Sequence, residues 1–531
     1  MRTRILIAAA LLVLAGCSPA RPAADAGAPR SGGSLTWGVE TEPITFNPHQ
    51  YAQAKARLLV ANAYEGLLTH DQHGGVVPLL ATSYETAPDG LSYTFELRPD
   101  VKFWDGTPVD AAAVKANIDQ LRQPGYNPGL LAVQLKNLKS VEAVDASTVR
   151  YVLTRPDVLI LDFIASPQGA LVSPASLKAA KDLKAGGPEL AGTGPFILDR
   201  YTAGQEVHFT RNPHYWGAHP AYLDEITYRF LKEPSVRVGA LTSGQVQVIE
   251  GVPATDQQLI EADPRLTLQR GLNTGTAYTY YLNASRAPFD DIRVRQAFRE
   301  ALDVDAVLNA VYRGTATRAW SVVSPAGPFY DRALEKTYAG DTAKANSLLD
   351  QAGWTQRDAD GFRTKDGKRL TVRLVQSAPF VRDRRDVLAQ AVQAAVKQSA
   401  GIEVKVSLVD QGTATKALQD NEYELFDNSR LDTDTGVALN LLLSSSGAIN
   451  RTGVKDATTD RLLDQAQATG DTARRTELYR RLQQHVVADQ ALVLPLYAPA
   501  DQIAAARTVG GLGFEPTAGV PGNAYGVWLG R

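Results

Sequence analysis

From Ser34 to its end the chain alternates between short runs of two-residue hydrophobic period and longer runs of helical period. That alternation confines it to folds in which helices pack on sheets. Ser92-Tyr93-Thr94-Phe95-Glu96-Leu97-Arg98 and Val149-Arg150-Tyr151-Val152-Leu153 read as strands, as do 370–374 and 402–406. Asp290 or Asp291 can cap a helix whose Val294, Ala297, Phe298, Ala301 and Leu302 share one face, and Asp110 stands likewise before Ala113, Val114, Asn117 and Ile118. Residues 387–396 read as a helix feeding the strand at Ile402. The expected class is α/β or α+β, with strand order left open. A length of 531 residues predicts two to four domains.

The N-terminus fixes the expected address. Arg2 and Arg4 precede an apolar run from Ile5 to Ala15, too short for the roughly 20 residues of a membrane-spanning helix. Such a start predicts an export signal over residues 1–16. Cys17, the one cysteine of the chain, directly follows Leu14-Ala15-Gly16, which resembles the bacterial lipobox, where the cysteine is acylated (palmitate or a related chain) and the signal is cut before it. Residues 17–33, rich in Ala, Pro, Gly and Ser, read as a flexible tether. The expected location is the cell envelope, on the outer face of the cytoplasmic membrane, periplasmic in a diderm host, with the membrane met only through the lipid.

Composition removes whole classes. Lys and Arg number 55 against 57 acids, so the basic stripe of a nucleic-acid binder is not expected. One cysteine excludes an intramolecular disulfide, a CxxC pair and a thiolate metal cluster. Between Gly361 and Gly367 lie five residues rather than the four of a phosphate loop, and Lys368-Arg369 lacks the hydroxyl; Asp360-Gly361 and Asp366-Gly367 read as hairpin turns instead. Pro195 spoils the dinucleotide fingerprint begun by Gly192-Thr193-Gly194, and in Asp432-Thr433-Asp434-Thr435-Gly436 the glycine comes too early for a calcium loop. No GxSxG or HExxH is present, and His70, His73 and the other five histidines form no ligand spacing. Neither a catalytic set nor a cofactor is expected: the chain reads as a non-enzyme.

Four blocks together resemble the extracellular solute-binding proteins of family 5, the peptide- and nickel-type receptors of ABC importers. The first runs through Tyr64-Glu65-Gly66-Leu67-Leu68 and Asp89-Gly90-Leu91-Ser92-Tyr93 to Phe103-Trp104-Asp105-Gly106-Thr107-Pro108. The second is Gly192-Thr193-Gly194-Pro195-Phe196 with Arg211-Asn212-Pro213-His214-Tyr215-Trp216. The third is Pro288-Phe289-Asp290-Asp291-Ile292-Arg293-Val294-Arg295, and the fourth Leu348-Leu349-Asp350-Gln351-Ala352-Gly353-Trp354. Gly192 and Gly194 are expected to supply backbone angles closed to other residues. The resemblance implies an α/β type II periplasmic-binding-protein fold: two lobes, a hinge, and an extra subdomain inserted in lobe one. Lobe one would take 34–70, 190–280 and 506–531, the insert 71–189 and lobe two 281–505.

The resemblance also implies a cargo and partners. Peptide receptors of this family hold the ligand's ammonium with an aspartate that Asp432 matches; Ser429 and Thr435 stand where the family has tryptophan and proline, and Arg430 is an addition that could fork onto a carboxylate or pair with Asp432. Trp320, Tyr280, Tyr497 and Trp104, with Tyr278, are candidate aromatic walls or core residues, Trp320 foremost because it sits in a loop. A monomeric receptor for short peptides or an amine-plus-carboxylate solute is expected, handing its ligand to a permease driven by a cytoplasmic ATPase. A receptor for a metal chelate or metallophore is the alternative, with sugars and other solutes behind it.

Overall fold

The structure, a computed structural model, describes residues 25–50, 57–71, 74–126, 134–378, 381–431, 434–517 and 519–530. The export signal, Cys17, His73 and Asp432 fall outside the described residues.

Two large mixed sheets organise the chain. The first has seven strands in the order Leu266–Leu272, Ala500–Ala506, Val248–Glu250, Ser34–Val39, Glu225–Phe230, Glu206–Arg211 and Phe196–Thr202. At its centre Ser34–Val39 runs parallel to both Glu225–Phe230 and Val248–Glu250. The second has six strands in the order Thr317–Arg318, Val493–Ala498, Tyr278–Leu282, Leu425–Asn428, Thr371–Ser377 and Glu403–Val409. There Thr371–Ser377 is parallel to both neighbours. The parallel strands still alternate, Glu225–Phe230 and Glu403–Val409 most plainly, each sending every second side chain into a core. Leu35, Trp37 and Val39 enter one core with Phe196, Phe209 and Tyr228, while Val372 and Leu374 enter another with Leu388, Val392 and Val396.

A four-stranded antiparallel sheet, Ala81–Thr86, Ser92–Leu97, Thr148–Leu153 and Leu138–Ala143, with the Ala111–Leu121 helix, builds a third core around Phe95, Val114 and Tyr151. It leaves and rejoins the first lobe between Leu68 and Phe196. Asp110 caps its helix by accepting the Ala113 amide at 2.7 Å. In the second lobe Asp291, rather than Asp290, caps Ile292–Glu300.

The rejoining point rests on a buried acid. Glu65 accepts the Thr193 hydroxyl at 2.9 Å, the Tyr215 hydroxyl at 2.7 Å and the Trp216 indole at 2.8 Å, so the second sequence block is clamped onto the first. Gly192 and Gly194 serve here for a reason other than the expected one. Neither has a positive φ; a Cβ on Gly192 would stand 2.1 Å from the Ala63 carbonyl oxygen, and one on Gly194 2.5 Å from that of Asn62. Close approach, not backbone angle, demands glycine there.

The chain crosses between the large sheets twice, from Leu272 to Tyr278 and from Ala498 to Ala500. The Asn273 amide donates to the Pro499 carbonyl at 2.9 Å, binding the two crossings together. The second crossing corrects the expected boundary: residues 500–505, assigned from sequence to lobe two, pair with Val248–Glu250 and Leu266–Leu272 in the first sheet. The stretch 491–506 is apolar but for Asp501 and Gln502, and of its two prolines, Pro495 lies within the first strand while Pro499, which cannot donate to a ladder, falls at the break.

Candidate functional site

In open α/β sheets ligands collect beyond the carboxyl ends of parallel strands. Both sheets direct such ends at one cavity of about 320 Å³ beside the double crossing. From the first lobe, Glu40 follows Ser34–Val39, Lys232 follows Glu225–Phe230, and the 251–255 loop follows Val248–Glu250. From the second, Arg382, Asp383 and Arg384 follow Thr371–Ser377, with Tyr312 and Tyr497 as an aromatic wall.

Arg237 shapes the first-lobe side. Its side chain is 2% exposed, and its guanidinium donates to the carbonyls of Leu231 (2.6 Å), Lys232 (2.7 Å), Glu250 (3.1 Å) and Gly251 (3.1 Å). Those carbonyls end two parallel strands, so one buried cation sets the separation of the loops that line the cavity. Burial pulls the Arg237 guanidinium below its usual range, against the charges of Glu40, Glu250 and Glu233.

The second-lobe side is built on a strained turn. Asp383 and Arg384 hold φ of 53° and 58°, two consecutive left-handed residues immediately before the Arg385–Ala400 helix. Neither is glycine, and such conformations cost of order 1–3 kcal/mol each and concentrate at ligand sites. Arg384 Nη1 donates to the Val311 carbonyl at 2.9 Å. Arg385, 4% exposed, lies beneath: Nε donates to the Tyr497 hydroxyl at 3.2 Å, Nη2 to Ser429 Oγ at 2.8 Å, and the guanidinium stands 4.2 Å from the Tyr278 ring centroid. Tyr278 donates to Asp427, which also accepts Gln376 Nε2 at 2.8 Å. Burial pushes the Asp427 carboxyl up, opposed by those two hydrogen bonds and the Arg385 charge. Burial also raises the hydroxyls of Tyr278, Tyr280 and Tyr497.

The residues singled out from sequence are dispersed. Tyr497 lines the cavity. Arg430 sits on the first crossing: its amide donates to Thr276 Oγ1 at 2.8 Å and its carbonyl accepts the Thr276 amide at 2.9 Å. Tyr280 is fully buried in the second-lobe core, its ring 6.0 Å from that of Tyr278. Trp320 is half-buried away from the cavity lining, with the Arg318 guanidinium 4.2 Å from its ring centroid and the Tyr338 ring at 5.4 Å. Trp104 joins the cores of the four-stranded and seven-stranded units, and its amide donates to the Gly192 carbonyl at 3.0 Å. Among the described residues no group of three His, Cys, Asp or Glu side chains could hold a metal ion, and no helix is long and apolar enough to cross a membrane.

Sequence reasoning misses Glu40, Lys232, Arg237, Tyr312 and the Arg382–Arg385 run. One signal exists for the last: five successive charged residues, Arg382 to Asp386, that lead from the carboxyl end of a strand into a helix.

Comparison with known proteins agrees with this architecture. Residues 75–449 match the family model of bacterial extracellular solute-binding proteins, family 5 Middle. The glutathione-binding protein GsiB of Escherichia coli (strain K12) is 28% identical over 452 residues, covering 83% of this chain and 84% of that protein. NikA from Brucella suis, in complex with Fe(III)-EDTA, superposes with a TM-score of 0.84 at 26% identity, over 94% of this chain and 100% of that one. The PBP AgaA from A. tumefaciens R10, in complex with agropinic acid, superposes with a TM-score of 0.75 at 27% identity, over 94% and 99%.

Proposed function

The chain belongs to family 5 of the bacterial extracellular solute-binding proteins, and from that premise we propose that it captures a short peptide or a related compact amine-plus-carboxylate solute by closing its lobes, then delivers it to an ABC permease. Anchoring through an acylated Cys17 would hold it at the outer face of the membrane. The single observation that carries the cargo reading is the mixed charge of the cavity. Lys232, Arg382 and Arg384 suit carboxylates, and Glu40 and Asp383 suit an ammonium. At about 320 Å³ the cavity stands at the small end of ligand sites, which favours a di- or tripeptide-sized solute over a long peptide. Glutathione, the ligand in the name of the 28%-identical relative, has that size, one ammonium and two carboxylates.

A second reading is a receptor for an anionic metal chelate. The Fe(III)-EDTA complex of the structural neighbour favours it, as do the three cations. Glu40 and Asp383 weigh against it only in part, because each already stands 3.8 Å from a cation, Arg237 and Arg382 respectively. Calorimetric titration with glutathione, a set of dipeptides and Fe(III)-EDTA separates the readings. Micromolar binding of the amine-bearing solutes alone supports the first. Binding of the chelate alone replaces it with the second.

A further inference from the structure

The inserted subdomain does not stand clear of the second lobe. After strand Thr148–Leu153 the chain makes a turn over 155–158 and opens the Leu159–Ala165 helix. Contacts of several kinds leave this short stretch, among them a side-chain hydrogen bond between Asp157 and Gln467. The Val158 amide donates to the Gln467 carbonyl at 3.1 Å, at the last residue of the Ala457–Gln467 helix. Leu159, 6% exposed, forms a small apolar cluster with Val437 and Leu441 of the Thr435–Leu443 helix, which are 5% and 2% exposed. At the rim, Arg155 Nη2 stands 3.5 Å from Asp464 Oδ1, both side chains in solvent.

The turn is held ready for this contact. Asp157 is 1% exposed; it accepts Asn137 Nδ2 at 2.6 Å and the Leu159 amide at 3.0 Å, so the backbone that offers Val158 is fixed from within the insert. On the other side, the Thr435–Leu443 helix starts directly after the loop that carries Arg430. Its cap, Asp434, accepts the Gly436 amide at 2.6 Å and Arg475 Nη2 at 2.8 Å. The apolar cluster is separate from the main cores of both partners.

We propose that the 155–159 turn is a latch: it grips the Thr435–Leu443 and Ala457–Gln467 helices while the cleft is closed and lets go when the lobes part. One backbone hydrogen bond, one side-chain hydrogen bond between the buried Asp157 and Gln467, one three-residue apolar cluster and one solvent-screened ion pair are few enough to break and reform at each cycle. The inference rests on the reading that the lobes close over a ligand, and it assigns part of the closure equilibrium to a contact remote from that ligand.

The test uses the full chain, with glutathione as the probe. Leu159→Ala, Val437→Ala and the double variant are compared by hydrogen exchange over residues 155–160 and 435–443, by glutathione titration and by thermal melting. A latch predicts faster exchange of both segments in the ligand-free variants. It also predicts a glutathione Kd raised about tenfold, the measure of a closed state made less favourable by one buried leucine, and a double variant that loses little more than either single one. A static interface predicts a lower melting temperature, with exchange unaffected by ligand and Kd unchanged; that result overturns the latch. Should glutathione fail to bind the unsubstituted chain, the probe becomes whichever dipeptide or Fe(III)-EDTA binds in the calorimetric titration, and the same exchange and Kd outcomes decide the latch, separately from the peptide reading.

Discussion

Arg385 Nε donates to the Tyr497 hydroxyl at 3.2 Å, and through that bond the floor of the cavity is fastened to the strand that crosses between the lobes two residues later. Tyr497 also packs against Tyr278 at 5.2 Å and Tyr312 at 5.0 Å between ring centroids. A ligand touching Arg384 or Tyr312 therefore presses on residues that touch the hinge. In the first lobe Arg237 holds a comparable place, but it spends its donors on backbone carbonyls and stiffens the loops instead.

Replacing Arg385 with methionine keeps much of its volume and removes the charge. Asp427 would then lose the nearer of its cations, Arg451 remaining, and loss of one partner from a buried charged set costs about 3–5 kcal/mol. Chemical denaturation should show that loss. Arg385→Lys should recover only part of it, because an ammonium cannot reach Tyr497 and Ser429 with the fork of a guanidinium. Full recovery by lysine would mean that charge alone matters at this position.

The charged residues facing the cavity divide the ligand between them. Arg382→Ala and Arg384→Ala should weaken a carboxylate-bearing solute by about 2–5 kcal/mol where the pair is desolvated, and barely affect the same solute carrying an amide in its place. Asp383→Asn and Asp432→Ala should do the converse, costing affinity only while the ligand carries an ammonium. Titrating glutathione and its N-acetylated form against each variant gives the assignment. An Asp432→Ala Kd equal to that of the unsubstituted protein would remove Asp432 from the amine site and leave Asp383 and Glu40 as its candidates.

What was legible in the sequence was local. Alternation located Ser92–Leu97, Thr148–Leu153, Thr371–Ser377 and Glu403–Val409 to within a few residues, and the helix expected over 387–396 is Arg385–Ala400. The Asp-Gly dipeptides closed the turns they were expected to close, with φ of 83° at Gly361 and 72° at Gly367. The cavity was not legible because separate strands and helices each contribute a residue or two to it: Glu40, Lys232, Tyr312, Asp383 and Tyr497 are far apart in the chain, and no local period marks them. The aromatic candidates were hard to place for a related reason. Trp320 lies in a segment that reads as a loop, and both it and Trp104 pack against neighbours, Arg318 in one case and the junction of two cores in the other.

Gly275 lies in the first crossing, where a Cβ would meet the Arg430 carbonyl oxygen at 2.1 Å. Alanine there must push the Arg430 loop away from Thr276 and break the pair of hydrogen bonds that joins them. A stability loss of about 1–3 kcal/mol is expected, as for other forced overpacking, together with weaker ligand binding, since the displaced loop leads into Asp434 and the helix behind it. Denaturation and titration of Gly275→Ala would show both effects; lost stability with unchanged affinity would place the Arg430 loop outside the binding site.

Two buried groups should make the stability of the protein oppose itself across mildly acidic pH. His49 is fully buried with Nε2 3.1 Å from the Ala170 carbonyl oxygen, and burial lowers it from 6.5 to about 4. A base with a depressed folded value adds stability above pH 6.5 that is lost as pH falls toward 4. Glu65 runs the other way: burial raises it from 4.5 to about 7 against the hydrogen bonds of Tyr215, Trp216 and Thr193. An acid with a raised folded value adds stability below pH 4.5 that is lost as pH climbs through 7. Each window is worth about 3 kcal/mol and the two overlap, so these two contributions nearly cancel between about pH 4.5 and 6.5, on top of whatever slope the other buried acids give the unsubstituted chain. His49→Gln removes one arm and should tilt the profile, with stability falling as pH rises. Glu65→Gln should tilt it in the opposite sense. Parallel profiles for both variants and the unsubstituted protein would mean that neither group changes its protonation on folding, and that the buried Glu65 cluster keeps its charge through its three donors.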